Sequence, residues 1–292
     1  MKKLIIIFLM LSVLSGCTSI EKYFDNDFKE YSNLKVDTFE EIKVHFINVG
    51  QADCIVIQYN DRAVVIDGGN NNDDNLIINY LNKININIID YMILTHAHQD
   101  HAGSVDVIID TFDVRNVIMK KINHNTLTFK SVLDSCKEKD IKIIPGNQGD
   151  FFEINNLSFE ILGPINLETN RLNDLSLVLK LTYNEVDMIF TGDSEENEEL
   201  DIINYYEEEK LKSEVLKISH HGSSSSSHDD FISTINPKIG IITVGVNNIY
   251  GYPNKEVLST LELNNIDIYQ TNINGHIVIS TNGEKIYIIT EK

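Results

Sequence analysis

The sequence predicts an α/β fold in which two β-sheets pack face to face and helices cover both outer sides, a four-layered αββα sandwich. Fourteen short runs rich in β-branched and aromatic residues have the length and pattern of strands. Six segments of helical periodicity are interspersed among them. The chain has 292 residues, which is enough for one large domain with a sizeable core.

Each predicted strand is a short, mostly apolar run that ends at polar or turn-forming residues. The strands are predicted at 43–49, 54–59, 63–67, 91–95, 114–119, 141–144, 157–162, 176–182, 187–191, 215–219, 239–244, 266–269, 276–280 and 286–290. The predicted helices carry apolar residues three or four positions apart, which is the spacing of one helix face. They lie at 74–82, 103–112, 126–138, 196–206, 229–234 and 255–263.

The start of the chain has the features of an export signal. Lys2 and Lys3 precede an apolar run at 4–14 that is too short to span a bilayer comfortably. The following Leu-Ser-Gly-Cys resembles a bacterial lipobox, which implies that Cys17 is acylated and becomes the mature N-terminus. An ordinary signal peptide with an incidental cysteine is the alternative. We therefore expect a lipoprotein, held at the extracellular face of the cytoplasmic membrane by the lipidated Cys17.

The sequence divides into three parts. Residues 1–16 are predicted to be the lipoprotein signal peptide. Residues 17–41 are polar, acidic and weakly periodic, which is typical of a tether between a lipid anchor and a folded body. Residues 42–292 contain all the predicted strands and helices, so they are predicted to form one globular domain.

The charge of the chain restricts its partners. Removal of the leader takes away Lys2 and Lys3 and leaves 22 basic against 44 acidic residues, a formal net charge of −22. An acidic surface repels phosphate backbones and anionic lipid, which excludes nucleic-acid binding through a general basic surface. Any activity on nucleic acid then requires a local cationic feature, for which a bound metal is the obvious candidate.

The strongest chemical signal is the segment "THAHQDHAG" at 95–103, directly after the apolar run "DYMIL". His96, His98, Asp100 and His101 place three imidazoles and a carboxylate within six residues at a strand end, where side chains can converge on a ligand. A lone histidine is usually a satisfied core or surface residue, but this density favours a metal site. Imidazole nitrogens and carboxylate oxygens suit zinc or manganese.

These four residues match the signature H-x-H-x-D-H, and here the sequence resembles the metallo-β-lactamase superfamily. The resemblance implies an αββα sandwich with two divalent metal ions, zinc or manganese, at the edge between its sheets. His96 and His98 would bind the first metal, and Asp100 and His101 the second. Asp67 in "AVVIDGG" matches an aspartate that supports the ligands without touching the metal. The alternative for Asp67 is a turn-forming residue before two glycines.

Two downstream strand ends complete the implied site. Asp193 in "TGD" matches the aspartate that bridges both metals and is expected to take a proton from the nucleophile. The segment "VLKISHHGS" supplies either His220 or His221 as the last ligand of the second metal. His221 is favoured, which leaves His220 to contact the substrate or protonate a leaving group. The opposite assignment remains open.

Finer similarity points to one branch of the superfamily. The chain contains, in this order, "HFINVGQADCIVIQ", "LTHAHQDHAGS", "LSLVLKLTYNEVDMIFTGD", "VLKISHHGSSSSS", "ITVGVNNIYGYPNKEVLSTL" and "IYQTNINGHIVISTNG". Together they look like the metallo-β-lactamase domain of ComEC-type DNA-uptake (competence) proteins. The resemblance implies a phosphodiesterase or nuclease that acts on an anionic phosphodiester such as DNA, and no obligate protein partner is indicated. Ser223, Asn248 and Tyr250 are expected to contact the substrate, although a turn built from Asn, Gly and Pro explains the last two almost as well.

Several departures leave the substrate open. A third histidine for the first metal is missing from its usual place; His124 is the one candidate, and the segment around Asn173 and Ser176, water or substrate could complete the shell. Tyr252 and Asn254 replace residues that are often histidine in the branch. The alternatives are a cell-envelope phosphodiesterase acting on phosphorylcholine or teichoic acid, which suits a charge of −22, and a lipid-anchored binding protein with the same fold.

Overall fold

A computed structural model of the protein describes residues 20–25 and 33–292. It confirms the four-layered sandwich: two eight-stranded mixed sheets face each other, with helices on both outer sides. The strands are β1 (Asn33–Leu34), β2 (Ile42–Phe46), β3 (Ile55–Tyr59), β4 (Arg62–Ile66), β5 (Ile88–Leu94), β6 (Asp113–Met119), β7 (Ile143–Pro145), β8 (Phe151–Ile154), β9 (Leu157–Gly163), β10 (Val178–Tyr183), β11 (Val186–Phe190), β12 (Val215–Lys217), β13 (Ile239–Ile242), β14 (Asp267–Gln270), β15 (Ile277–Thr281) and β16 (Ile286–Thr290).

The helices alternate with these strands. They are α1 (Asp74–Lys83), α2 (Gln99–Ala102), α3 (Val105–Thr111), α4 (Leu127–Glu138), α5 (Glu196–Tyr205), α6 (Glu208–Leu211), α7 (Asp229–Ile235), α8 (Lys255–Leu263) and α9 (Thr271–Asn274). The first sheet has the order β16-β15-β2-β3-β4-β5-β6-β7, and the second has the order β1-β8-β9-β10-β11-β12-β13-β14.

Three apolar layers hold the sandwich together. The central layer lies between the sheets, where the inward side chains of both sheets interdigitate, as Phe46 and Phe190 do with ring centroids 6.2 Å apart. A second layer packs α1, α3 and α4 on the first sheet. A third packs α5, α7 and α8 on the second sheet. Strands that are buried on both faces are apolar along their whole length, which is the reason that their sequence shows runs instead of alternation.

The connectivity brings several strand ends to one edge of the sandwich. β4 and β5 run parallel in the first sheet, and β11, β12 and β13 run parallel in the second. In such sheets the loops beyond the carboxyl ends of parallel strands meet at a single edge, where ligands bind. The predicted site residues follow β4, β5, β11 and β12 directly, so the fold gathers them there.

The predicted elements overlap an observed strand or helix in every case, with ends shifted by up to three residues. The unpredicted elements are short: β1 has two residues and β8 has four, while α2, α6 and α9 have four each. A segment of this length covers about one helical turn or two pleats, which is too little for a hydrophobic period to show. Tertiary pairing supplies what the local pattern lacks; for example, β1 pairs with β8.

Two stretches of the predicted tether pack on the sandwich. Phe24 is buried in the layer over the first sheet, and the backbone N–H of Asp25 donates to the carbonyl of Ile143. Leu34 and Phe39 pack against the central layer. The predicted signal peptide and Cys17 lie outside the described residues. Within 20–25 and 33–292, no helix is long and apolar enough to cross a membrane.

Candidate metal centre

The loop that carries the histidine-rich segment is fixed to the end of β4 by backbone hydrogen bonds. The N–H of Gly68 donates to the carbonyl of His101 at 2.7 Å, and the N–H of Gly103 donates to the carbonyl of Gly69 at 2.9 Å. A Cβ atom at Gly103 would lie 2.2 Å from the carbonyl carbon of Asn70, so only glycine permits this approach. The two loops therefore move as one unit.

His101 is oriented by a chain of hydrogen bonds that begins at Thr95. The backbone N–H and the hydroxyl of Thr95 donate to the two carboxylate oxygens of Asp67 at 2.8 and 2.7 Å. Oδ2 of Asp67 lies 2.8 Å from Nδ1 of His101. This leaves Nε2 of His101 facing Oδ2 of Asp193, from the other sheet, at 3.2 Å. Asp67 thus occupies the supporting position that the resemblance implies.

His221 is held in the same manner from the second sheet. Its Nδ1 lies 2.8 Å from the carbonyl of Thr243, which can only accept, so Nδ1 carries the proton and Nε2 is free to bind a ligand. Nε2 lies 3.4 Å from Oδ2 of Asp100 and 3.7 Å from Oδ2 of Asp193. The backbone at His221 has φ 55°, a left-handed conformation that non-glycine residues rarely adopt.

His220 has the same strained conformation, with φ 49°, but a different position. Its Nδ1 lies 3.2 Å from the Ser225 hydroxyl and 3.5 Å from the Glu195 carboxylate. Its Nε2 is 3.8 Å from Oδ2 of Asp193, and its ring meets the ring of Tyr252 edge-on at 5.7 Å. His220 therefore lies beside the cluster around His221, on the wall of the cleft into which the site opens.

Asp100, His101, Asp193 and His221 fit a divalent metal. Each offers one ligand atom, and these atoms lie within 4.8 Å of one another. Within residues 20–25 and 33–292, Oδ1 of Asp193 is buried without a hydrogen-bond partner, and Nε2 of His101 and Nε2 of His221 lie near carboxylates but form no hydrogen bond; leaving such atoms without a ligand is costly. Two imidazoles and two carboxylates are the donors that borderline divalent metals prefer. His220 is not part of this group, so the geometry favours His221 as the ligand.

The electrostatics of this cluster depend on opposite charges at close range. Burial by itself lowers the pKa of His101, but the carboxylates of Asp193 and Asp67 raise it well above its usual range. Burial likewise opposes the ionisation of Asp193, yet His101 and His221 hold the pKa of Asp193 well below its usual range. Because a metal can bind Nε2 only when that nitrogen carries no proton, metal binding at this cluster competes with protonation of the imidazoles.

His96 and His98, the predicted ligands of the first metal, face each other. Nε2 of His96 lies 2.9 Å from Nδ1 of His98. Nδ1 of His96 lies 3.3 Å from the hydroxyl of Ser176, so Ser176 orients the ring from the far side. His124 packs edge-on against Phe129, with ring centroids 5.8 Å apart, and is not among the residues that line the cleft.

Asn173 lines the cleft and has a free amide oxygen. Its Nδ2 donates to Oε1 of Glu195 at 3.0 Å. A carboxylate can only accept, so this contact fixes Nδ2 as the amide nitrogen and Oδ1 as the oxygen. Oδ1 is buried and has no hydrogen-bond partner within the described part of the chain. Of the alternatives for completing the first metal's ligands, this oxygen is the one with unused binding capacity.

A buried ion pair that the sequence analysis missed lies behind the ligands. Nζ of Lys217 is 2.6 Å from Oδ2 of Asp53 and donates to the carbonyl of Gly192 at 3.2 Å. Asp53 also accepts a hydrogen bond from the Thr243 hydroxyl, and its Oδ1 lies 3.5 Å from Nδ1 of His221. The signal was present, because Lys217 and Asp53 are charged residues inside or beside apolar strand runs.

The site opens into a cleft of about 250 Å³. Tyr250 and Tyr252 form part of its wall and stack on each other, with ring centroids 5.5 Å apart and an interplanar angle of 18°. Ser223 and Asn248, which were also expected to contact the substrate, are not among the lining residues. The amide of Asn248 bonds to the backbone of Gly245 and Tyr252 and braces their loop. Substrate contact by Ser223 and Asn248 stays a prediction.

A family model described as the metallo-beta-lactamase superfamily matches residues 47–246. The chain belongs to the metallo-β-lactamase superfamily. The resemblance drawn from the histidine-rich segment is thereby confirmed, and family and site together support a metal-dependent hydrolase with divalent metals.

Competence-related proteins are among the similar members of the superfamily. ComE operon protein 3 of Bacillus subtilis is 32% identical over 204 residues, which are 70% of this chain and 26% of that protein. Recombination protein 2 of Haemophilus influenzae is 25% identical over 247 residues, which are 82% of this chain and 29% of that protein. This chain therefore spans less than a third of the length of either relative.

A solved structure shows the same fold. Igni18, a metallo hydrolase from Ignicoccus hospitalis, superposes with a TM-score of 0.53 at 13% identity, over 82% of this chain and 98% of that one. At this identity the likeness shows the fold and nothing finer.

The ion pair of Lys217 and Asp53 predicts a stability effect. Replacing Lys217 by Met leaves the Asp53 carboxylate buried and unpaired, so we expect a loss of about 3–5 kcal/mol in the free energy of unfolding. The double variant Lys217→Met with Asp53→Asn removes that charge and should recover a large part of the loss. Urea unfolding of the metal-free proteins measures both values. Equal stability of wild type and Lys217→Met would contradict the assignment.

The metal ligands predict a difference between two adjacent histidines. We expect the wild-type protein to bind about two divalent ions, as the two-metal template of this chemistry requires. His221→Ala should lose the ion at the Asp100, His101 and Asp193 cluster, whereas His220→Ala, the matched control, should retain it. Elemental analysis after equilibration with Mn²⁺ or Zn²⁺ gives the count. Loss of an ion in His220→Ala but not in His221→Ala would reverse the assignment.

Proposed function

We propose that the protein is an extracellular, lipid-anchored phosphodiesterase that uses two divalent ions, zinc or manganese, to cleave nucleic acid. The observation that carries this proposal is the pair of neighbouring ligand sets beside one cleft. His96 and His98 form one set, and Asp100, His101 and His221 form the other, with Asp193 beside the second. Two-metal sites of this composition hydrolyse phosphodiesters and related esters in known enzymes.

The bound ions would supply a water of lowered pKa and neutralise charge on a phosphoryl oxygen. The remaining work belongs to side chains of this chain. Asp193 is the carboxylate that we assign to accept the proton of the nucleophile, because its Oδ2 lies among the ligand imidazoles, 3.2 Å from Nε2 of His101 and 3.7 Å from Nε2 of His221. Oδ1 of Asn173 would join His96 and His98 on the first ion, in place of the missing histidine. His220, which lines the cleft, would contact the substrate.

The cleft wall supports a substrate with aromatic groups. Tyr250 is 61% exposed and stacks on Tyr252, so the pair presents an aromatic face to the cleft. Bases of single-stranded nucleic acid stack on such faces with little sequence preference. The names of the similar relatives, an operon protein of competence and a recombination protein, fit the same substrate class.

A second candidate is a cell-envelope phosphodiesterase that acts on phosphorylcholine or teichoic-acid polymers. The same tyrosine pair would attract a quaternary ammonium group through its aromatic faces. The net charge of the whole chain, −20, also suits a cationic group better than a polynucleotide. A third candidate, a lipid-anchored binding protein without catalysis, requires that the ligand sets hold metal but turn nothing over.

A panel of three substrates separates these candidates. The Mn²⁺-loaded protein should hydrolyse single-stranded DNA faster than p-nitrophenylphosphorylcholine, because only the DNA offers bases to the tyrosine pair. Hydrolysis of bis-p-nitrophenyl phosphate reports phosphodiesterase activity that depends on neither bases nor choline. His98→Ala or Asp193→Ala should lower the rate by at least about 100-fold, which is typical when a group acting directly on the reacting atoms is removed. Preference for the choline ester would favour the second candidate. No turnover by a fully metal-loaded protein would favour the third.

The lipid anchor is tested separately from the activity. The full chain expressed in a bacterium should incorporate a palmitate analogue and remain with the membrane fraction. Cys17→Ser should lose the label, since acylation occurs on the thiol of this cysteine. Release of the unlabelled wild-type protein into the medium would show an ordinary signal peptide instead.

A further inference from the structure

Gln51 places an amide group of fixed orientation on the wall of the cleft. Its Oε1 accepts a hydrogen bond from the backbone N–H of Gly245 at 3.1 Å. A backbone N–H can only donate, so this contact identifies Oε1 as the oxygen and Nε2 as the remaining amide nitrogen. Nε2 is buried and has no hydrogen-bond partner in the described part of the chain. This amide nitrogen can therefore donate a hydrogen bond to a ligand.

Backbone contacts hold the loop that carries Gln51 in place. Nδ2 of Asn70 donates to the backbone carbonyl of Gln51 at 3.3 Å. Gly245, from the loop after β13, approaches so closely that a Cβ atom there would lie 2.8 Å from the backbone nitrogen of Gln51. Two residues further on, the N–H of Asp53 donates to the carbonyl of Asp100. The loop is thus anchored to both sheets and to the backbone of a metal-ligand candidate.

An unpaired buried N–H destabilises a protein, so a donor held in this way indicates a ligand that completes it. The other cleft residues show which ligand is missing. Asp100, Asp193 and His221 are committed to the metal cluster, and Nδ2 of Asn173 is bonded to Glu195. The residues that line the cleft, within the described part of the chain, include no lysine or arginine. An anion that enters this cleft therefore relies on the metals and on neutral donors, of which the amide of Gln51 is one.

We propose that Nε2 of Gln51 donates a hydrogen bond to a non-bridging oxygen of the substrate's phosphoryl group. This inference rests on the proposed phosphodiesterase function and adds the residue that recognises the anion. The hydrogen bond from Gly245 occupies the amide oxygen of Gln51, which leaves Nε2 as the donor for the ligand.

The test measures binding of inorganic phosphate to the Mn²⁺-loaded full chain by titration calorimetry. Gln51→Glu keeps an acceptor for the N–H of Gly245 but loses the donor, and Gln51→Met loses both polar atoms without adding charge. Each should raise the Kd for phosphate by about tenfold or more, the value of one hydrogen bond to a charged group. Gln99→Glu is the matched control, because Gln99 lies exposed at the rim and gains the same charge where solvent screens it.

We expect the control to change the Kd by less than about threefold, as is usual for a screened surface charge. Unchanged phosphate binding by both Gln51 variants would overturn the proposal, as would an equal loss in Gln99→Glu or a wild type that binds no phosphate. Thermal unfolding near that of the wild type confirms that each variant is folded.

If Gln51 governs phosphate binding but the wild type cleaves no diester, the proposed function fails alone. If the wild type cleaves diesters and the Gln51 variants do so with an unchanged KM, this inference fails alone.

Discussion

The approach of Nε2 of His101 to Oδ2 of Asp193, at 3.2 Å, is the contact on which the site depends. His101 belongs to the first sheet and Asp193 to the second, so the distance between them is set by the packing of the two sheets. The central apolar layer fixes that packing. A protein interior is dense and resists small displacements, which makes it a suitable frame for ligands that must lie within a few tenths of an ångström of their positions.

The same region of the fold places several buried carboxylates close together, and buried cationic groups beside them compensate their charge. Asp53, Asp67 and Asp193 are all buried near one another, and isolated buried carboxylates are unfavourable. Lys217 neutralises Asp53 directly, while His101 lies between Asp67 and Asp193. The ammonium of Lys217 compensates the charge of Asp53 inside the protein. The negative charge of the cluster that is left uncompensated faces the cleft, where divalent cations would bind.

The loop after β13 contributes aromatic surface and polar bracing to the cleft. Tyr252 stacks on Tyr250, and Oδ1 of Asn254 accepts a hydrogen bond from the N–H of Ser224. The further polar contact on this wall comes from Gln51, which the loop holds through Gly245.

Much of this protein could be read from the sequence because its signals are local. Apolar runs follow from burial on both faces of a strand, and the segment "THAHQDHAG" concentrates its ligands within a few residues, so fold class and the candidates His96, His98, Asp100 and His101 required no long-range information. The short elements β1 and β8 were not predicted, because two to four residues show no period.

Only the tertiary structure decided what depends on residues far apart in the chain. The choice between His220 and His221 rests on the Thr243 carbonyl, which lies 22 positions beyond His221 and orients its ring. The ion pair of Lys217 and Asp53 joins the two sheets. The amide nitrogen of Gln51 can be identified as a free donor only because the N–H of Gly245, 194 positions away, donates to the amide oxygen. Sequence patterns report burial and local spacing, whereas the direction in which a side chain points is set by contacts made when the sheets pack.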